Sequence, residues 1–216
     1  EEDFAKISVD GIELQVLNTP GAEAPSSFVF YVPSEKALFM SETVNAGIHN
    51  VQTLRGALVR DAKAWADALS ESLLLFPEAQ IMVPSHHWPR YGQDEVREFI
   101  ASQRDVYKYM HDQTVRLMNQ GLTPTEIAEN LKLPDALGGK WYNRGVYGTL
   151  SHNSKAVYGR YMGWYDGEPT NLDPHIPTER AVRYGDAIGG ANRVLEIGGE
   201  AFDKGDYRWS AELIKH

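Results

Sequence analysis

Carboxylates and imidazoles in this chain fall at the ends of apolar runs. Glu23 lies in the turn from Asn18 to Pro25, ahead of the run Phe28-Val29-Phe30-Tyr31-Val32. Glu42 follows Ala37-Leu38-Phe39-Met40 with Ser41 between, and His86 and His87 follow Ile81-Met82-Val83-Pro84 with Ser85 between. Side chains at the ends of adjacent buried strands can converge on one point. Carboxylate oxygen together with imidazole nitrogen is a donor set that suits Zn²⁺ or a similar divalent ion. The ordinary alternative is a solvated turn Glu and a solvated strand-end Glu. His86 and His87 are neighbours on extended chain and point to opposite sides, so one of them at most is a ligand. Arg55, close to Asn50 and just ahead of a helical stretch, carries a planar fork that matches a tetrahedral oxyanion. Free N–H groups at the start of that helix would add to such a site, whereas a surface ion pair is the plain use of a lone Arg. His152 and Asn153 open another helical stretch, where capping is the usual role of such residues.

The elements that must position these groups are legible from periodicity. Ile7 and Val9, then Asp10-Gly11, then Ile12, Leu14 and Val16 alternate about a two-residue turn, which predicts a β-hairpin. Phe28 to Val32 and Ala37 to Met40 are near-continuous apolar runs, as expected of strands covered on both faces. From Leu58 to Phe76 the spacing of Ala62, Trp65, Leu69 and Leu73 is helical, Pro77 closes it, and Ile81 to Val83 resumes the sheet. Strand, helix, strand is the α/β pattern. After Gly92 a long helical pattern runs through Val96, Phe99, Ile100, Val106, Met110, Val115 and Leu117 to near Gly121. Thr123-Pro124-Thr125-Glu126 is a capping box opening a helix to Leu131. Helices are expected around Asn153 to Trp164, Thr178 to Ile188 and Ala191 to Phe202, with one long loop from Asp166 to Pro177 and no strand after Val83. The apolar residues of the long helix, Phe99, Ile100, Val106, Tyr107, Tyr109 and Met110, exceed one buried stripe, which predicts self-association through it.

Composition bounds the rest. The chain has 216 residues, enough for one large domain or two small ones, with 42% hydrophobic and 24% charged residues. A formal net charge of −9 without a basic stripe argues against nucleic acid. Any anion pocket must therefore be a local positive island. With no cysteine there is no disulfide or thiolate site, which leaves the compartment open. No apolar run approaches the roughly 20 residues that span a membrane, and no signal peptide is visible. The chain opens on Glu1-Glu2-Asp3 without Met, which reads as a processed chain or a fragment.

Thr19-Pro20-Gly21, a strand, a strand ending in an acid and a strand ending in Ser85-His86 resemble the second half of a metallo-β-lactamase-fold hydrolase. A His commonly follows Thr-Pro-Gly in that fold. Here Ala22-Glu23 follows, which is similar to the alkylsulfatase branch, the hydrolases of detergent-like sulfate esters. His49-Asn50-Val51-Gln52-Thr53-Leu54-Arg55-Gly56-Ala57, Arg60-Asp61-Ala62 and His86-His87-Trp88-Pro89-Arg90 resemble the same branch. So do Ser151-His152-Asn153 and Arg160-Tyr161-Met162-Gly163-Trp164, and the likeness covers nearly the whole chain.

That resemblance implies α/β followed by all-α: residues 1–92 as the second half of a metallo-β-lactamase αββα sandwich and residues 93–216 as a helical dimerisation domain. It implies hydrolysis of an alkyl sulfate to alcohol and sulfate with two Zn²⁺ ions, whose bound water has a lowered pKa. Glu42 would bridge the ions and Glu23 and His86 would each hold one, which leaves His87 either to support a ligand from behind or to pack on Trp88. Asn50 and Arg55 would contact the sulfate, with His152 reaching back to help the leaving group and Tyr161 lining the pocket. His49, His111 and His175 are taken as structural. The family's other ligands sit in an upstream His-x-His-x-Asp-His run that this sequence lacks, so the chain supplies only part of the set. A homodimer and a periplasmic or secreted location are also implied. Two alternatives stay open: a catalytically inactive helical interaction module, and another metallo-β-lactamase-fold hydrolase. Gly121-Leu122-Thr123-Pro124-Thr125-Glu126-Ile127-Ala128 also resembles the start of a helix-turn-helix, but no basic recognition helix follows.

Overall fold

Asp10 and Gly11 take φ of 52° and 82°, the left-handed pair that a tight hairpin turn demands. Through that turn β1 (Phe4–Val9) pairs antiparallel with β2 (Ile12–Asn18). The computed structural model describes residues 3–215. In it β3 (Phe28–Val32) and β4 (Ala37–Ser41) continue the antiparallel order. β5 (Ile81–Pro84) lies parallel to β4, as a crossover through α1 (Ala62–Leu75) requires. A two-residue strand, β6 (Arg90–Tyr91), closes the sheet on β5. Sequence periodicity predicted no strand after Val83, because two residues are too short to show a period.

Alternation decides the faces of the sheet. Val29, Tyr31, Leu38, Met40 and Met82 turn inward against Trp65 and Leu69 of α1. Phe28, Phe30 and Phe39 take the opposite face, where Phe30 and Phe39 stack at 4.5 Å and stay only partly covered. One sheet with helices on one side is thus half of a layered sandwich. Helix α1 begins at Ala62, later than the Leu58 that spacing suggested. Its cap, Asp61, accepts from the N–H groups of Lys63 and Ala64.

Helix α2 (Gln93–Met118) runs beside α1, and Tyr107 stacks on Trp65 at 4.6 Å. Phe99, Ile100, Val106, Tyr107 and Met110 are all buried inside this unit. Expected self-association through that helix is therefore corrected: its wide apolar face is covered within its own subunit. α3 (Pro124–Asn130) carries the reciprocal Thr123–Glu126 capping box. α4 (Asp135–Gly138) and α5 (Leu150–Met162) complete this unit, which ends at Trp164.

From Tyr165 the chain forms a second unit of α6 (Pro177–Ile188), α7 (Ala191–Asp203) and α8 (Tyr207–Ile214). Helix α8 showed no clear sequence period. It packs on α7 where Gly198 leaves room: a Cβ there would lie 2.9 Å from Ile214 Cγ1. No α6 residue is buried, and Val182, Leu195, Phe202, Trp209 and Ile214 are all more than half exposed. The division falls after Trp164, whereas the change near Gly92 marks where strands give way to helices.

Candidate active site

Between β4 and α1 the chain runs irregularly from Glu42 to Asp61, yet Thr43, Val44, Asn45, Ile48, His49, Asn50, Val51 and Thr53 are buried. A buried irregular segment must find partners for its backbone. Here the N–H of His49 donates to Tyr107 Oη at 3.1 Å. Asn153 of α5 braces two residues at once, accepting from the N–H of Val51 and donating to the carbonyl of His49, each at 2.9 Å. The indole of Trp65 donates to the carbonyl of Thr43 at 2.8 Å. Gly148 seats a second loop on this one, donating to the Ile48 carbonyl at 2.7 Å. A Cβ on Gly148 would fall 2.4 Å from the His49 oxygen, so only glycine fits.

Ser41, at the end of β4, has φ of 50°, unusual for a residue with a side chain, and its hydroxyl donates to the Phe28 carbonyl at 2.8 Å. That twist delivers Glu42 between two histidines. His86 Nε2 lies 3.2 Å from Glu42 Oε1, and His49 Nε2 lies 3.2 Å from Glu42 Oε2. Burial pushes the Glu42 carboxyl up, but the hydrogen bonds and charge of His86 and His49 outweigh it and hold it below the usual carboxylate range. His49 is 3% exposed, with Tyr147 edge-on at 4.9 Å. Its Nδ1 lies 2.9 Å from the Asn50 carbonyl, which only accepts, so Nδ1 carries a proton. Nε2 then either carries a second proton toward Glu42 or offers its lone pair to a cation shared with that carboxylate.

Glu23, Glu42 and His49 each offer one ligand atom within 4.8 Å of the others. With His86, Arg55 and Arg60 they line a cavity of about 440 Å³. Of the expected ligands, then, Glu23, Glu42 and His86 face one space, but the tight group of three uses His49 in place of His86. His49, expected to be structural, is the third member of that group. Its signal was its place seven residues after Glu42, inside the string His49-Asn50 already singled out.

Arg55 is exposed, lines the cavity and has no hydrogen bond or ion pair to the described residues, which leaves its fork for an anion. Other expected residues lie elsewhere. Asn50 is buried, and its Oδ1 accepts from Arg60 Nη1. His152 Nε2 sits 2.8 Å from the Gln52 carbonyl, in a separate hollow with Lys155. Tyr161 Oη is 2.7 Å from His111 Nε2 and ties α5 to α2 instead. His87 lies against Trp141, ring centroids 5.3 Å apart, rather than on Trp88.

Residues 123–216 match the family model described as alkyl sulfatase dimerisation. A linear primary-alkylsulfatase of Pseudomonas sp. is 45% identical over 209 residues, covering 96% of this chain and 31% of that protein. An (R)-specific secondary-alkylsulfatase of Pseudomonas sp. is 46% identical over 218 residues, covering 100% of this chain and 33% of its own length. The solved structure of a stereoselective inverting sec-alkylsulfatase from Pseudomonas sp. superposes with a TM-score of 0.95 at 46% identity, covering 99% of this chain and 34% of that one. The chain therefore spans about a third of the length of the relatives it matches. No helix among the described residues is long and apolar enough to cross a membrane.

Proposed function

Since this chain belongs to the alkylsulfatase family, we propose that it forms part of a site that hydrolyses alkyl sulfate esters to an alcohol and inorganic sulfate. The observation that carries this reading is the convergence of Glu23, Glu42, His49 and His86 on one cavity with the unpaired Arg55 on its wall. Two carboxylates and two imidazoles fit a divalent metal in chemistry, and Glu23, Glu42 and His49 fit it in spacing as well. Glu23, Glu42 and His86 would hold Zn²⁺, with His49 in reach of the same space. When bound, the metal supplies Lewis acidity and an activated water.

The chain's own residues do the rest. Arg55 neutralises the sulfate and orients it, a charge stabilisation worth on the order of a few kcal/mol per donor. Glu42 is kept ionised by its two histidines, so it is ready to bind a cation at neutral pH. The finer reading is a pair of Zn²⁺ ions, with further ligands from outside this sequence, because it contains no His-x-His-x-Asp-His run. The helical unit from Tyr165, with its exposed apolar residues, would pair two copies.

Native mass spectrometry of the 216-residue chain with Zn²⁺ tests the metal reading. We expect one ion retained by the wild type and lost in Glu42→Ala. An E42A chain that keeps its ion contradicts the reading, and two tightly held ions in the wild type contradict the partial ligand set.

A further inference from the structure

Arg60 makes contacts with several parts of the site's framework, although sequence analysis gave it only as the start of the string Arg60-Asp61-Ala62. Its side chain is only 12% exposed. Nε donates to the Glu23 carbonyl and Nη2 to Glu23 Oε1. Nη1 is shared among Asn50 Oδ1, the Asn50 carbonyl at 3.1 Å and Thr53 Oγ1 at 3.2 Å. The backbone N–H of Arg60 adds a bond to the Val51 carbonyl at 2.9 Å. A guanidinium has a fixed planar fork and no acceptor, so these bonds leave at most one N–H, on Nη2, for anything else. Arg55 on the same wall has no such partners. Of the two arginines at the cavity, one is held by the protein and the other is free.

We propose that Arg60 is the positioning residue of the site: its one guanidinium fixes the Glu23 carboxylate and, through Asn50 and Thr53, the loop that carries Arg55. The inference rests on Glu23 being a metal ligand. Oε1 and the backbone carbonyl of Glu23 both accept from Arg60, so the carboxylate is held in one orientation and Oε2 has no bond to that guanidinium. Asn50 takes part in this clamp through its Oδ1 and its backbone carbonyl. A positive charge beside a metal ligand also repels the incoming ion, and the expected sign of a substitution depends on which effect is larger. Carboxylates that ligate metals are themselves oriented by hydrogen bonds, and losing such a partner costs about 10–100-fold in affinity. Arg60 and Glu23 form a close pair, so the charge of the guanidinium is largely answered where it stands. Orientation should therefore dominate.

The test is a titration of the wild-type chain and its variants with Mn²⁺, free ion being read by electron paramagnetic resonance. Near-ultraviolet circular dichroism confirms that each variant folds. Arg60→Lys keeps the charge and loses the fork, while Arg60→Gln loses both charge and fork. We expect each to weaken Mn²⁺ binding about 10-fold or more, and R60K to add little when Glu23→Gln is already present. R60K binding Mn²⁺ as the wild type does, R60Q binding more tightly than the wild type, or R60K weakening binding by the same factor with and without E23Q would each overturn the proposal. A wild type that binds no Mn²⁺, or E23Q binding it unchanged, instead removes Glu23 as a ligand and with it the ground for the proposal.

Discussion

Glu42 shows how much chemistry one side chain can gather: an exposed imidazole on one oxygen and a buried one on the other, each at 3.2 Å. The two neighbours His86 and His87 then separate cleanly. In the bend after β5, His86 faces Glu42 and His87 faces Trp141. His86→Ala should therefore weaken Zn²⁺ binding about 10-fold or more, and His87→Ala should leave it within about twofold, both read by competition with a chromogenic chelator. The reverse order would show that the second histidine, not the first, is the ligand. That Glu23, Glu42 and His86 face one space was legible because strand ends mark where a chain returns to one edge of a sheet, whereas Arg55 lies seven residues ahead of the helix it was expected to adjoin. His49 and Arg60 were not legible, because their partners depend on the path of an irregular loop that no period describes. Asn50 Oδ1, His152 Nε2 and Tyr161 Oη each have a partner within the protein.

At the scale of elements, the segment from Glu42 to Asp61 is the least regular and the most consequential. Its backbone is pinned by α2 through Tyr107, by α5 through Asn153 and by the loop around Gly148. Gly148→Ala would force a methyl group to within 2.4 Å of the His49 oxygen unless one loop moves. Overpacking of this kind costs about 1–3 kcal/mol, and the displaced residue is the one beside Glu42. Urea denaturation should show that loss of stability, accompanied by weaker Zn²⁺ binding. An equally stable G148A variant would mean the two loops separate freely. The hairpin, the strands, the capping box and the long helix were all readable from period and turn chemistry. The late start of α1 was not, since Leu58 and Val59 continue an apolar spacing while Asp61 sets the cap. The width of the α2 apolar face pointed outward in sequence and inward in fact, because α1, α3 and α5 all lie on it.

As a whole molecule the chain separates a well-filled unit ending at Trp164 from a thinly filled one beginning at Tyr165. In the second, large apolar side chains such as Leu195, Phe202 and Trp209 remain more than half exposed. Apolar surface of that density in three helices calls for a covering partner, and the matched dimerisation family names the kind. Light scattering on the intact chain should give a dimer, and Leu195→Glu with Phe202→Glu should give a folded monomer. A monomeric wild type at high micromolar concentration would contradict pairing through this unit. The total sequence likeness was legible because its strings run the length of the chain. Where the uncovered surface lies was not, since exposure is a property of packing.

The central claim, that this chain carries half of a working sulfate-ester site, is tested most directly by grafting. The chain replaces the matching 31% of the Pseudomonas linear primary-alkylsulfatase, and inorganic sulfate released from sodium dodecyl sulfate is measured with Zn²⁺ present. We predict release by the chimera within about 10-fold of the relative, and none by its E42A variant, where the loss is that of a metal ligand. A folded, dimeric chimera that releases no sulfate, or an E42A chimera as active as its parent, would contradict the account.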